Sequence, residues 1–168
     1  MKAIAILNEL SEQEARSRLE YCCAAPRWVA LMLSSRPYRD LANLQLAADS
    51  AAKQMVRADW LEAFAAHPRI GNVDTLREKY AATRDWASKE QSGVSTADEQ
   101  TLQALATGND LYYQKFGYIF IVCATGKTAI EMLTMLNDRL KNSEDLELSI
   151  AAKEQIKITW IRLQKIES

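Results

Sequence analysis

The chain of 168 residues contains a single histidine, three cysteines, five glycines and three prolines. One histidine without a Cys-x-x-Cys pair makes a zinc or di-iron site difficult to assemble, because carboxylates would have to supply the other ligands. Cys22, Cys23 and Cys123 are an odd number of thiols, two of them adjacent in sequence, so we expect them to be reduced and buried. Any chemistry in this chain is therefore expected to need no metal.

The sequence also has no large net charge of either sign and no long apolar run. The formal net charge of −1 provides no basic surface for a nucleic acid. No apolar run approaches the roughly 20 residues that span a bilayer, and no basic region precedes an apolar signal core at the N-terminus. The final Ile166-Glu167-Ser168 is not a peroxisomal address. We expect a cytoplasmic protein that binds neither nucleic acid nor membrane.

Helix signals recur along the chain, 48% of which is hydrophobic. Ser11 with Glu14, and Thr128 with Glu131, have the spacing of a capping box. Together with apolar residues at helical spacing, such signals predict helices that begin near Ser11, Pro26, Asp40, Asp59, Thr96, Thr128 and Ser143. The sequence therefore predicts an all-α fold, a helical bundle that forms a single domain over residues 1–168.

One stretch departs from the helical pattern. Residues 118–123 are aromatic and β-branched, and Gly117 and Gly126 flank them. Because one strand cannot make a sheet and no second strand is evident, we predict an extended segment at about 118–124 that is buried in the bundle. Its backbone groups need partners from neighbouring elements or from a ligand.

The sole histidine lies in His67-Pro68-Arg69-Ile70-Gly71, after an apolar helix predicted to begin at Asp59. Pro68 cannot donate the next backbone hydrogen bond and Gly71 permits a turn, so the helix is expected to end at His67. Two interpretations stay open. The imidazole either caps the last helical carbonyls, or acts as an acid or base near neutral pH.

Four motifs follow one another along nearly the whole chain. They are His67-Pro68-Arg69-Ile70-Gly71, Trp86 with Glu90-Gln91, Phe116-Gly117 followed by Phe120-Ile121-Val122-Cys123-Ala124, and Ile161-Arg162-Leu163. In this order and spacing they resemble the motifs of the 2-oxo-4-hydroxy-4-carboxy-5-ureidoimidazoline (OHCU) decarboxylase family. The resemblance implies an all-helical carboxy-lyase of urate breakdown that needs no cofactor. Such an enzyme converts its small-molecule substrate to (S)-allantoin with loss of carbon dioxide, and is usually a homodimer.

The resemblance also assigns residues. The catalytic histidine of the family falls on His67, and its acidic partner falls on Glu90. Ala87 stands where the family often has serine, which removes one hydroxyl, and the neighbouring Ser88 points elsewhere on a helix. The substrate-binding positions of the family fall on Pro68, Ala87, Ser88, Lys89, Glu90, Gln91, Phe120, Ile121, Val122, Cys123, Ala124 and Arg162.

The chemistry of these groups leaves several roles open. We expect the backbone amides of residues 120–124 to stabilise charge that moves into the substrate ring, and Arg162 to pair with a carboxylate or carbonyl. Glu90 could orient His67, bind the ureido group, or disfavour the substrate carboxylate. Two other functions are alternatives: a non-enzymatic helical interaction module, or a lyase acting on a related ureido or imidazoline substrate.

Overall fold

The computed structural model describes residues 2–69, 72–78, 80 and 96–166. No strand occurs within these ranges, so the all-α prediction is confirmed. Among the described helices, none combines the length and the apolar character that a membrane span requires. Residues 73–78 form a short helical stretch. The longer helices are α1 (Lys2–Glu9), α2 (Glu12–Cys22), α3 (Pro26–Ser34), α4 (Leu41–Lys53), α5 (Arg57–Ala65), α6 (Thr96–Phe116), α7 (Ala129–Arg139) and α8 (Glu144–Gln164).

The predicted capping residues begin and end several of these helices. Both capping boxes form, Ser11 with Glu14 at α2 and Thr128 with Glu131 at α7. Gly117 follows α6 with φ 77° and donates its amide to a carbonyl of the last turn, as expected of a helix-ending glycine. The predicted start of α5 is wrong. Asp59 is the third residue of that helix, and its carboxylate accepts from the Val56 amide at 2.8 Å.

Helix α1 was not predicted, because only one turn of apolar spacing marks it. Leu7 is fully buried, and Ala3, one turn earlier, is 5% exposed. A side-chain amide then ties the end of this helix to a distant turn: Asn8 accepts from the Tyr38 amide at 2.8 Å and donates to the Tyr38 carbonyl at 2.7 Å. These tertiary contacts stabilise a helix that is too short to be stable through local propensity alone.

The chain divides into two compact units. The first contains residues 1–67, 121–123 and 148–168, and the second contains residues 68–120 and 124–147. In the first, α3 packs against α2, α4 and α5 around the buried side chains of Phe64 and Trp28. In the second, α6 packs against α7, and a Cβ on Gly108 would lie 2.7 Å from Leu136 Cδ2, so the glycine permits the close approach. A single domain over residues 1–168 stays a prediction.

The segment predicted to be extended has no regular secondary structure over residues 119–124, and Ile121 is 2% exposed. The half-buried Phe120 packs in the second unit against the ring of Tyr112, with 5.2 Å between the ring centroids. The Arg139 guanidinium lies 4.6 Å from the centroid of the Phe120 ring. An aromatic side chain therefore anchors one end of the segment.

A buried ion pair fixes the surroundings of Phe120. Glu147 is fully buried, and its carboxylate accepts from Arg139 Nε at 2.7 Å and from Asn142 Nδ2 at 2.8 Å. The Tyr112 hydroxyl donates to the same carboxylate. Burial is the main cause that raises the pKa of Tyr112, so the phenol stays protonated and can donate. Each charge or hydroxyl in this cluster has a partner, as burial requires.

We expect Arg139→Met to lower the free energy of unfolding by about 3–5 kcal/mol, because it leaves the Glu147 carboxylate buried without its counter-charge. The matched control is Lys141→Met, since Lys141 pairs with Asp138 at 2.9 Å on the surface, with both side chains more than half exposed. Its loss should change stability by no more than about 1 kcal/mol. Urea denaturation measures both variants, and equal losses would contradict the prediction.

Candidate active site

His67 lies two residues beyond the end of α5, and its side chain is half-buried. Its backbone amide donates to the Phe64 carbonyl at 3.1 Å, which completes the last turn. The imidazole is directed at α8, where Nε2 lies 2.6 Å from Gln155 Oε1. The capping interpretation is therefore wrong: the ring pairs with another helix rather than with the carbonyls of its own.

The partner of His67 belongs to a chain of hydrogen bonds within the first unit. Gln155 is 1% exposed, and its Nε2 donates to the Thr159 hydroxyl at 3.2 Å. The Thr159 hydroxyl donates to the Cys22 carbonyl at 3.4 Å. Gln155 and Thr159 are four residues apart on α8 and therefore lie on the same face of the helix. The imidazole is thus linked through two side chains to the end of α2.

Arg162 continues this polar face of α8. Its Nη1 donates to the Tyr21 carbonyl at 3.1 Å, and its guanidinium lies 5.5 Å from the centroid of the Tyr21 ring. Tyr21 and Cys22 are the last two residues of α2, whose carbonyls have no amide partner within the helix. Two side chains of α8 therefore cap α2, and this contact holds Arg162 in place.

The environment of His67 lowers its pKa below the ordinary value of 6.5. Burial is the largest cause, the hydrogen bond to Gln155 acts in the opposite direction, and the charge of Arg162 lowers the pKa further. The imidazole is consequently neutral at about pH 7, the state in which one ring nitrogen accepts a proton.

Glu154, the residue before Gln155, holds the segment of residues 121–123. Its Oε2 accepts from the Cys123 amide at 2.8 Å, and its Oε1 accepts from Lys157 Nζ at 2.5 Å. Glu154 is 7% exposed. The amide of Cys123 is therefore directed at a carboxylate. For this position, the expectation that the backbone amides of residues 120–124 stabilise charge in a ligand is wrong.

The structure brings only part of the predicted site together. His67, Arg162 and residues 121–123 share the first unit. There Gln155 pairs with His67, and the adjacent Glu154 accepts from the Cys123 amide. Pro68 is exposed, and Val122 and Ala124 are half-buried. The predicted residues Ala87, Ser88, Lys89, Glu90 and Gln91 lie outside the described part of the chain.

Sequence reasoning did not identify Glu154, Gln155 and Thr159. One signal was present: Gln155, Thr159 and Arg162 are polar residues at i, i+4 and i+7, which places them along one face of a helix. Within the described ranges, no group of three histidine, cysteine, aspartate or glutamate side chains is placed to hold a metal ion.

The sequence profile of the OHCU decarboxylase family matches residues 8–164. The chain belongs to the OHCU decarboxylase family. It is 40% identical over 147 residues to the uric acid degradation bifunctional protein TTL of Arabidopsis thaliana, covering 88% of this chain and 45% of that protein. It is 28% identical over 137 residues to a 2-oxo-4-hydroxy-4-carboxy-5-ureidoimidazoline decarboxylase of Haloferax volcanii, covering 81% and 79%.

A bifunctional uric acid degradation protein of Bacillus subtilis is 26% identical over 161 residues, covering 95% of this chain and 32% of that protein. The chain thus spans less than half the length of the two bifunctional relatives. Among solved structures, an OHCU decarboxylase crystallised in the presence of (S)-allantoin is 35% identical, with a TM-score of 0.70 over 93% of this chain and 97% of that one. An (S)-allantoin synthase, 19% identical with a TM-score of 0.68, covers 96% of this chain and 52% of its own, and shares the fold.

We expect the lowered pKa of His67 to make stability depend on pH. As the pH falls through the ordinary histidine value, the unfolded chain binds a proton before the folded chain does, so the free energy of unfolding decreases. The decrease ends below the folded-state pKa. Urea denaturation at about pH 7.5 and about pH 5.5 should show a larger loss for the unaltered chain than for His67→Gln, which does not titrate. Equal losses in the two proteins would contradict this assignment.

Proposed function

We propose that this chain catalyses the cofactor-free decarboxylation of OHCU to (S)-allantoin in urate degradation. The observation that carries the proposal is the environment of the sole histidine: a half-buried, neutral imidazole fixed by Gln155 and influenced by Arg162. Membership of the family supports the reaction class. A structural relative crystallised in the presence of (S)-allantoin supports the product.

The proposed reaction breaks the bond between ring carbon 4 and its carboxylate. The electron pair of that bond enters the unsaturated ring, which explains why no cofactor has to accept it. Carbon dioxide leaves, and the ring nitrogen that receives the electron pair takes up a proton from solvent. The hydroxyl on carbon 4 then gives up its proton as a carbonyl forms, and the ring carbon that bears the ureido group gains a proton. The protein has to hold the carboxylate out of the ring plane and deliver that proton to one face.

His67 is our candidate for the proton transfers. A neutral imidazole can accept the hydroxyl proton and then, as an imidazolium, protonate the neighbouring carbon. Burial suits this role, because an imidazole whose pKa is lowered returns the proton readily. A group that hydrogen-bonds to a buried amide also keeps its orientation, which a single enantiomeric product requires.

Arg162 is our candidate for binding the carboxylate or a ring carbonyl of the substrate. One of its N–H groups is used by the Tyr21 carbonyl, and the planar guanidinium keeps further donors. The side chains of Ile121, Val122 and Cys123 would form the apolar wall, with Glu154 holding the backbone amide of Cys123. The family motifs add further residues to the proposed site: Pro68, Phe120, Ala124 and residues 87–91, with Glu90 as the acidic partner of His67.

We also propose that the chain is a cytoplasmic homodimer. The support is the resemblance to the family, whose members are usually dimeric. Sedimentation velocity of the purified chain would reveal its mass in solution, and a monomer at micromolar concentration would contradict the dimer.

We expect His67→Ala to lower turnover by about 10²–10⁴-fold, the usual contribution of a general acid or base. OHCU is generated in place by oxidising and hydrolysing urate, and circular dichroism then follows (S)-allantoin, with spontaneous decay recorded in parallel. Thermal unfolding checks that the variant is folded. Gln164→Ala, at an exposed position of α8, is the control and should retain normal turnover. A folded His67→Ala protein with turnover close to normal would contradict the proposal.

Arg162→Lys should raise KM by about tenfold or more, since the positive charge remains while the planar pair of donors is lost. The turnover number should change less, because His67 keeps both its partner Gln155 and a neighbouring positive charge. Arg16→Lys is the matched control, because the side chain of this α2 arginine is 41% exposed and its ion pair with Glu12 tolerates lysine. The assay is the same, and an unchanged KM for Arg162→Lys would remove Arg162 from the substrate site.

A further inference from the structure

The hydrogen-bond chain that ends at His67 has a direction, and the C-terminus of α2 sets it. Cys22 is fully buried, and its carbonyl belongs to the last turn of α2, where no helical amide can reach it. Within the described part of the chain, the donor to this carbonyl is the Thr159 hydroxyl, at 3.4 Å. A hydroxyl has one proton. Once it is directed at Cys22, the Thr159 oxygen can only accept from its other partners.

This requirement orients the Gln155 amide. Because the Thr159 oxygen accepts, the group 3.2 Å from it must be the NH₂ of Gln155, and the Gln155 carbonyl must face His67. The Cys23 thiol also interacts with Thr159. Burial, the largest cause, raises the pKa of Cys23 and the contact with Thr159 acts in the opposite direction, so the thiol keeps its proton. A protonated thiol is a weaker acceptor than a carbonyl, so the Thr159 hydroxyl proton stays directed at Cys22.

A carbonyl oxygen cannot donate, so the nitrogen of His67 that faces it must carry a proton. In a neutral imidazole the other nitrogen is then unprotonated. We infer that Gln155, oriented by Thr159 and the Cys22 carbonyl, is a positioning residue that holds His67 in the Nε2-protonated tautomer. Nδ1 is consequently the atom that exchanges protons with the substrate. The assignment of the tautomer rests on the hydrogen bonds of a neutral imidazole, and the role of Nδ1 rests on the proposed function.

The single histidine makes this inference directly measurable. In nitrogen-15-labelled protein, two-bond correlations between ring protons and ring nitrogens report one imidazole, and protonated and unprotonated nitrogens resonate far apart. Above the pKa of His67, Nε2 should carry the proton and Nδ1 should not. An Nδ1-protonated tautomer in the unaltered protein would overturn the inference.

Thr159→Val and Thr159→Ser test whether the hydroxyl sets the direction. Valine has nearly the shape of threonine without the donor, so the Gln155 amide is free to turn, and the tautomer preference of His67 should be lost. Serine keeps the hydroxyl and should keep the tautomer. A folded Thr159→Val protein that retains a fully Nε2-protonated imidazole would overturn the role of Thr159.

Gln155→Leu removes the acceptor itself. We expect turnover to fall by about 10–100-fold with little change in KM, as when the partner that orients a functional histidine is lost. Thr159→Val should lower turnover in the same direction, and Thr159→Ser should restore it. A role in packing alone would predict that Gln155→Leu, with its apolar side chain, keeps normal turnover, which would overturn the positioning role.

(S)-Allantoin separates failure of this inference from failure of the proposed function. Added to the labelled protein, it should shift the Nδ1 resonance of His67 and leave Nε2 bonded to Gln155. A shift at Nε2 alone would overturn the assignment of Nδ1. If the unaltered protein forms no (S)-allantoin from OHCU, the proposed function fails, while the spectrum of the free protein still decides the tautomer.

Discussion

The first unit depends on how the last carbonyls of α2 are satisfied. A helix ends with carbonyls that its own amides cannot reach, and buried ones require donors from elsewhere. Here the donors are Thr159 and Arg162, both from α8. Gln155 lies one turn before Thr159, so a contact that closes one helix also determines where the amide beside His67 points. The side chains that complete the end of α2 therefore also determine the surroundings of the candidate catalytic histidine.

Two polar side chains, Glu147 in the second unit and His67 in the first, are paired in different ways. In the second, Glu147 is fully buried and its charge is compensated by Arg139, with Tyr112 and Asn142 as further donors. In the first, the imidazole is paired with a neutral amide. A carboxylate in that place would raise the basicity of the histidine, whereas an amide fixes its orientation and leaves its pKa low. The neutral amide of Gln155 therefore fixes the orientation of the imidazole without making it more basic.

The helices with strong local signals could be predicted from the sequence, because their capping side chains bond within one turn. Ser11, Asp40 and Thr128 are examples. The irregular segment near residue 120 was predictable from its composition and flanking glycines. The start of α5 was placed at Asp59 because aspartate is equally suited to the N-cap and to the third helical position. Helix α1 was missed because contacts 30 residues away stabilise it.

The candidate site divides in the same way. His67 could be found because it is the sole histidine in a characteristic motif, and Arg162 because it belongs to another. The partner of His67 could not, since 88 residues separate it from Gln155 in sequence and no local rule links a turn after one helix to the middle of another. Glu154 was missed for the same reason, because its partner is a backbone amide, which every residue except proline offers.

The adjacency of Glu154 and Gln155 has a consequence for the register of α8. One of these side chains holds the backbone of Cys123, and its neighbour holds the imidazole. Successive residues of a helix are about 100° apart. Inserting or deleting a single residue before Glu154 would therefore rotate both side chains away from their partners, Cys123 and His67. Length changes are therefore expected to be absent from the middle of this helix in active members of the family, even where its surface residues vary freely.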